Sequence, residues 1–152
     1  MCEKARERKE KESVSLIRDK KKLFLGGVWV LGMADLLIQL LLMSQDGGSK
    51  NKGFGWGLPF SLGWQGELRW PLVGLSILGL LGIGWWYKIS KRSMEKLGLL
   101  MVILGGVINL VMRLIWGEVM DYLCVVGLCF NVADILITGG VLLVIRDSIK
   151  EK

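Results

Sequence analysis

The sequence predicts an all-α membrane protein: four transmembrane helices, both termini cytoplasmic, and a small outer-face loop or β-cradle between spans one and two. Three observations carry that expectation. The 152 residues are 52% hydrophobic, with a mean hydropathy of +0.47. Those apolar residues are gathered into long unbroken runs rather than dispersed with the periodicity of a soluble core. All but one of the Lys and Arg lie in the segments between runs, and Trp and Tyr mark run ends, as at a membrane interface. The length suits one domain.

The first 22 residues carry nine of the 20 Lys and Arg. They alternate with Glu3, Glu7, Glu10, Glu12 and Asp19, which reads as a solvated cytoplasmic helix or tail rather than a nucleic-acid-binding patch. The spans follow at 23–43, 71–87, 97–116 and 125–145. The first is too long in its apolar part, and lacks a small-x-small site after it, to be a cleavable signal peptide. The second is shortest and is bracketed by Trp70, Trp85, Trp86 and Tyr87. Residues 146–152 form a second cytoplasmic tail. Segments 1–22, 88–96 and 146–152 together hold sixteen Lys and Arg, against Lys50, Lys52 and Arg69 on the other side, which sets the orientation. The outer connection, Ser44 to Trp70, is rich in Gly and Trp and suits either a short sheet lying on the outer surface or a flexible loop anchored by tryptophans.

Composition also removes chemistries. There is no histidine, so Ser-His-Asp and Cys-His catalysis are excluded and a zinc site is not expected. Cys2, Cys124 and Cys129 have no metal-binding spacing. What remains are polar residues inside apolar spans, each costly and therefore a candidate for function. Asp35 and Gln39 lie four apart in span one. Asn109 and Arg113 lie four apart in span three, with Met112 beside them, and Asn131, Asp134 and Thr138 share a face in span four. At 1.5 Å per residue, Asp35 lies about 12 Å, Arg113 about 5 Å and Asp134 about 14 Å below their outer span ends. The three faces thus agree in depth. They form either one polar site open to the outer leaflet or an interhelical clamp in which Arg113 is neutralised by a carboxylate.

The run Phe130-Asn131-Val132-Ala133-Asp134 resembles the FNxAD signature of the lipoprotein signal peptidases (signal peptidase II). Gly105-Gly106-Val107-Ile108-Asn109-Leu110-Val111-Met112-Arg113 looks like that family's GGxxNxxDR segment, and Gly117-Glu118-Val119-Met120-Asp121 like its G-x-V-x-D. Asn51-Lys52-Gly53 is similar to its outer-loop NxG element, and Asp35 stands where the family has the aspartate of DxxxK. Two departures stand out. Gln39 replaces the lysine of DxxxK, which is expected to weaken a pairing with Asp35. Met112 stands at a position the resemblance gives to one of two catalytic aspartates, Asp134 matching the other.

The resemblance implies an inner-membrane aspartic endopeptidase of bacteria that removes signal peptides from diacylglyceryl-modified prolipoproteins. Such an enzyme needs two carboxylates sharing one proton, one activating water and one polarising the scissile carbonyl. Methionine does neither, so impaired catalysis is expected, with rescue by Asp35 or Asp121 as the exception. Asn109, Arg113, Asn131, Asp35, Asn51 and Asp121 are implied to bind substrate or support the site. No cofactor and no metal are implied, the partners are lipidated signal peptides and membrane lipid with no nucleic acid, and a monomer is expected. The alternative is a catalytically deficient homologue that binds lipidated signal peptides without cutting them. A small four-span exporter coupled through Asp35 is a third reading, one that leaves the FNxAD run a coincidence.

Overall fold

The computed structural model describes residues 2–44, 49–51, 69–126 and 128–150. Most of the outer connection expected as a cradle or loop lies outside the described residues. Four helices and four short strands follow in the order α1 (Cys2–Ser44), β1 (Ser49–Asn51), α2 (Arg69–Ile89), α3 (Ser93–Ile115), β2 (Val119–Asp121), β3 (Leu123–Val125), β4 (Leu128–Phe130) and α4 (Val132–Ile149). Asp19–Ser44, Trp70–Ile89 and Ser93–Ile115 are long and apolar enough to cross a membrane. The fourth helix has 18 residues and carries Asp134, Arg146 and Asp147.

The basic segment expected as a helix or tail is helical from Cys2 and runs unbroken into the first apolar run. A larger difference lies before the fourth helix. The apolar run that reads as one span from residue 125 is divided, with strands at Leu123–Val125 and Leu128–Phe130 and helix only from Val132. Two local signals favour the later start. Asn131 is extended and caps the helix by accepting from the Asp134 N–H at 2.9 Å, and Asp134 places a carboxyl in the first turn.

The core is built on α3, which packs along α4 and also against α2 and α1. Glycine permits close approach of α3 to α4 at two levels. A Cβ on Gly105 would run into the Ala133 carbonyl oxygen. A Cβ on Gly140 would stand 2.5 Å from the Gly98 carbonyl oxygen, and one on Gly98 would stand 2.6 Å from the Gly140 oxygen. Val28, Met101, Leu104, Ile108, Ala133 and Leu136 close one apolar cluster between α1, α3 and α4. At one end Lys21 Nζ donates to Ser93 Oγ at 2.6 Å. At the other, Met43 meets Met112 beneath Val119 and Met120. The first and third helices therefore run in the same direction.

Two small antiparallel sheets cover that second end. β1 pairs with β2, Asn51 opposite Val119 and Ser49 opposite Asp121. β3 pairs with β4, Cys124 opposite Cys129, and those cysteines form a disulfide.

Asp35 ties α1 to this end. Its Oδ1 accepts from the Tyr122 hydroxyl at 2.5 Å and the Val132 N–H at 3.1 Å. Its Oδ2 accepts from Gln39 Nε2 at 2.9 Å and the Ala133 N–H at 3.1 Å. The first turn of any helix leaves N–H groups without intrahelical partners, and in an apolar setting an unmet donor is costly. A fully buried carboxylate from another helix meets two of them and complements the helix dipole. Burial, and next its bond to Asp35, raise the Tyr122 phenol above its ordinary pKa, so the hydroxyl stays a donor.

Replacing Asp35 with Asn turns one acceptor oxygen into a donor facing other donors. Thermal unfolding in detergent is expected to show a loss of about 1–3 kcal/mol, and Asp35→Ala a larger one. Gly140→Leu should destabilise by at least about 1–3 kcal/mol in the same assay, because the α3 backbone must move away. A Gly140→Leu protein with an unchanged melting temperature would show that the close approach is dispensable.

Candidate active site

A chain of side-chain amides connects the polar residues at this end. Asn131, fully buried, sits between β4 and α4 and uses both ends of its amide. Its Oδ1 caps the helix, while its Nδ2 donates to Asp121 Oδ1 at 3.1 Å and to Asn109 Oδ1 at 3.4 Å. Asn109 in turn donates from Nδ2 to Asp134 Oδ1 at 2.9 Å. The two asparagines thus hold one oxygen each of two carboxylates, Asp121 on β2 and Asp134 in the first turn of α4. Arg113 Nη1 donates to the Asn109 carbonyl oxygen at 3.5 Å, and its guanidinium lies within electrostatic reach of both Asp134 and Asp121.

A cavity of about 310 Å3 opens between α2, α3 and α4. Asn109, Arg113 and Asp134 form its polar end, with Leu80, Val102 and Ile137 along the apolar walls. Thr138, one turn beyond Asp134, also faces it. Asp134 Oδ2 is buried and has no hydrogen-bond partner among the described residues. The cavity thus combines an apolar trough with a polar end of amide, cation and carboxyl groups.

The expected residues separate into groups. Asn109, Arg113, Asn131, Asp134 and Asp121 come together in one network. Asp35 and Gln39 stand beside it, bonded to each other and to the start of α4. Gln39 keeps the contact with Asp35 as a neutral donor. Asn51 lies in β1, its backbone opposite Val119, while Ser49 is the residue opposite Asp121.

Met112, like Asp121 and Asn131, is not among the residues lining the cavity. It is fully buried and packs with Met43, Val119 and Met120, on the side of α3 that meets α1 and β2. Tyr122 and the disulfide pair escaped the sequence reading. Tyr122 had a faint signal, the one hydroxyl-bearing aromatic between two polar motifs. The pairing of Cys124 with Cys129 had only their separation of five residues as a signal.

Comparison with known proteins agrees with this architecture. The family model Peptidase_A8, described as Signal peptidase (SPase) II, matches residues 47–150. A lipoprotein signal peptidase of Caulobacter vibrioides is 38% identical over 104 residues, 64% of this chain and 60% of its own length. That of Methylobacterium radiotolerans is 32% identical over 65% of this chain and 60% of its own length. The chain therefore spans about 60% of the length of these relatives. The lipoprotein signal peptidase of Vibrio parahaemolyticus is 29% identical over 81% of this chain and 85% of its own length. A bacterial membrane enzyme structure determined by the in meso method at 2.3 Å resolution shares the fold, with a TM-score of 0.64 at 17% identity over 84% of this chain and 90% of that one. With most of its length matched by the family model, the chain belongs to the signal peptidase II family.

Proposed function

We propose that the protein is an intramembrane aspartic endopeptidase that removes signal peptides from diacylglyceryl-modified prolipoproteins in the bacterial inner membrane, with Asp121 and Asp134 as its two carboxylates. The observation that carries this reading is the Asn131–Asn109 amide chain, which bonds to both carboxylates beside Arg113. Four spans with both termini in the cytoplasm set the polar end toward the outer leaflet, where the cleavage point of a lipidated signal peptide lies.

The chemistry follows from the arrangement. Two carboxylates held near each other share a proton, since both cannot ionise freely. The charged member takes a proton from water as it attacks the scissile carbonyl, and the protonated member donates to the carbonyl oxygen. The unpartnered Asp134 Oδ2 is available for that proton traffic. Arg113 stands where negative charge develops, and the apolar trough between α2 and α4 receives the signal-peptide backbone from the side.

Asp35 does not serve as the second carboxylate, because its two oxygens already accept four hydrogen bonds and a carboxylate has about four such positions. Met112 acts in this reading as a packing residue. The departure at position 112 therefore does not remove a reacting group, and the chain is expected to be active.

The test is cleavage of a diacylglyceryl prolipoprotein by the purified protein in detergent. The unmodified chain should cut with a bell-shaped pH dependence, and Asp121→Asn and Asp134→Asn should each lose about 1,000-fold or more. Met112→Asp should gain nothing and melt earlier, since it buries a carboxyl among methionines. Cleavage by Met112→Asp alone would move the second carboxylate to position 112. Precursor bound but cut by no variant would favour a catalytically deficient binder of lipidated signal peptides.

A further inference from the structure

The segment joining β2 to α4 holds two features that the proposed reaction does not use. One is the disulfide between Cys124 and Cys129, directly opposite each other on β3 and β4. The other is the turn between those strands, where Val126 adopts φ 50° and is 98% exposed. A β-branched residue in the left-handed region is strained. A ladder of three residue pairs forming its own two-stranded sheet is marginal in isolation. Neither the turn nor the ladder would by itself hold this hairpin shut, and beyond the bonds at its base the covalent bond supplies the closure.

What the closure holds is the polar network. Cys124 follows Tyr122 by two residues, and Cys129 precedes Asn131 by two. The hairpin therefore begins at the Asp121–Tyr122 pair and ends at the Asn131 cap, the residues that bond across its base at 3.1 Å and to Asp35. Opening the hairpin loosens the Asp121–Asn131 bond and, through Asn131, the cap on the first turn of α4.

We propose that the Cys124–Cys129 disulfide is a reversible thiol–disulfide exchange site, and that its reduction by a dithiol uncouples Asp121 from Asn131 and lowers the activity of the site. The activity part rests on the function proposed above. Cys124 is the exposed partner and Cys129 the half-buried one. A thiolate of the dithiol attacks Cys124 Sγ, the S–S bond breaks, and Cys129 leaves as thiolate and takes a proton. The second thiol of the reductant then displaces Cys124 as a thiol. The cystine gains two electrons and two protons, and the dithiol becomes its cyclic disulfide. On the outer face of the membrane this bond meets an oxidising environment, so the closed form is the resting one.

The experiment uses the full chain in detergent with Cys2→Ser, followed by thiol alkylation, amide hydrogen exchange and cleavage kinetics with and without dithiothreitol. Untreated protein should show Cys124 and Cys129 unreactive to alkylation. Dithiothreitol should expose both, and speed exchange of the Val132, Ala133 and Asp134 amides about tenfold while those of residues 99–108 stay unchanged. It should lower kcat about tenfold with KM within about twofold, and reoxidation should restore both readouts. Cys124→Ser with Cys129→Ser should behave as the reduced protein whether or not dithiol is added.

Free thiols in the untreated protein, exchange indifferent to dithiol, or a general rise in exchange over every helix would each overturn the proposal. Should the oxidised protein cleave nothing, the proposed function fails, and the localised exchange response still decides the fate of this one.

Discussion

The fold depends on a carboxylate buried at the start of a helix. Asp35 lies within the apolar part of α1, where an ion without partners would be excluded. It is retained because the fourth helix begins against it. The Val132 and Ala133 N–H groups, the Tyr122 hydroxyl and the Gln39 amide all point at its two oxygens. Each side resolves the other's problem: the helix start needs acceptors where water is scarce, and the carboxylate needs donors there. This contact joins the first helix to the fourth and fixes where α4 begins. Asn131 can then face back toward α3 and β2.

From that starting point the candidate site follows with few free choices. Once α4 begins at Val132, Asp134 falls in its first turn, facing Asn109 across the close α3–α4 contact that Gly105 allows against the Ala133 carbonyl. Once Asn131 spends its carbonyl on the cap, its amide must donate elsewhere, and the nearest acceptors are Asp121 and Asn109. The geometry of two asparagines thus sets the distance between two carboxylates on different elements. Neither carboxylate is positioned by its own backbone alone.

Much of this was legible in the sequence, for a physical reason. Asp35, Asn109, Arg113, Asn131 and Asp134 stand in apolar runs, and an apolar background makes a polar residue conspicuous. The three hydrophobic helices were legible on the same grounds. The start of α4 was not, because apolar β3 and β4 share the composition of a span, and only Asn131 and Asp134 mark the true boundary. Tyr122 and the Cys124–Cys129 pairing depend on contacts between distant or reversing segments, which linear periodicity does not report. Met112 shows a different limit. A motif places it in a register, but the helix turns about 100° per residue. Asn109 and Arg113 share the cavity, while Met112 packs against Met43 and Met120.

That rotation bears on what a substitution within a motif means. A residue can be part of a signature because it reacts, or because it fills the side of a helix opposite the reaction. In this chain the junction of α1, α3 and β2 is filled by methionines: Met43 from α1, Met112 from α3 and Met120 from β2. Their flexible thioethers fill an irregular gap without hydrogen-bonding demands. A carboxylate at position 112 would need donors that its neighbours Met43, Val119 and Met120 lack in their side chains. The surroundings of position 112 are therefore adapted to an apolar residue, and the polar partners are directed one face away, to Asp121 and Asp134. What the structure shows at position 112 is a fully buried side chain packed among Met43, Val119 and Met120, an environment that suits an apolar residue.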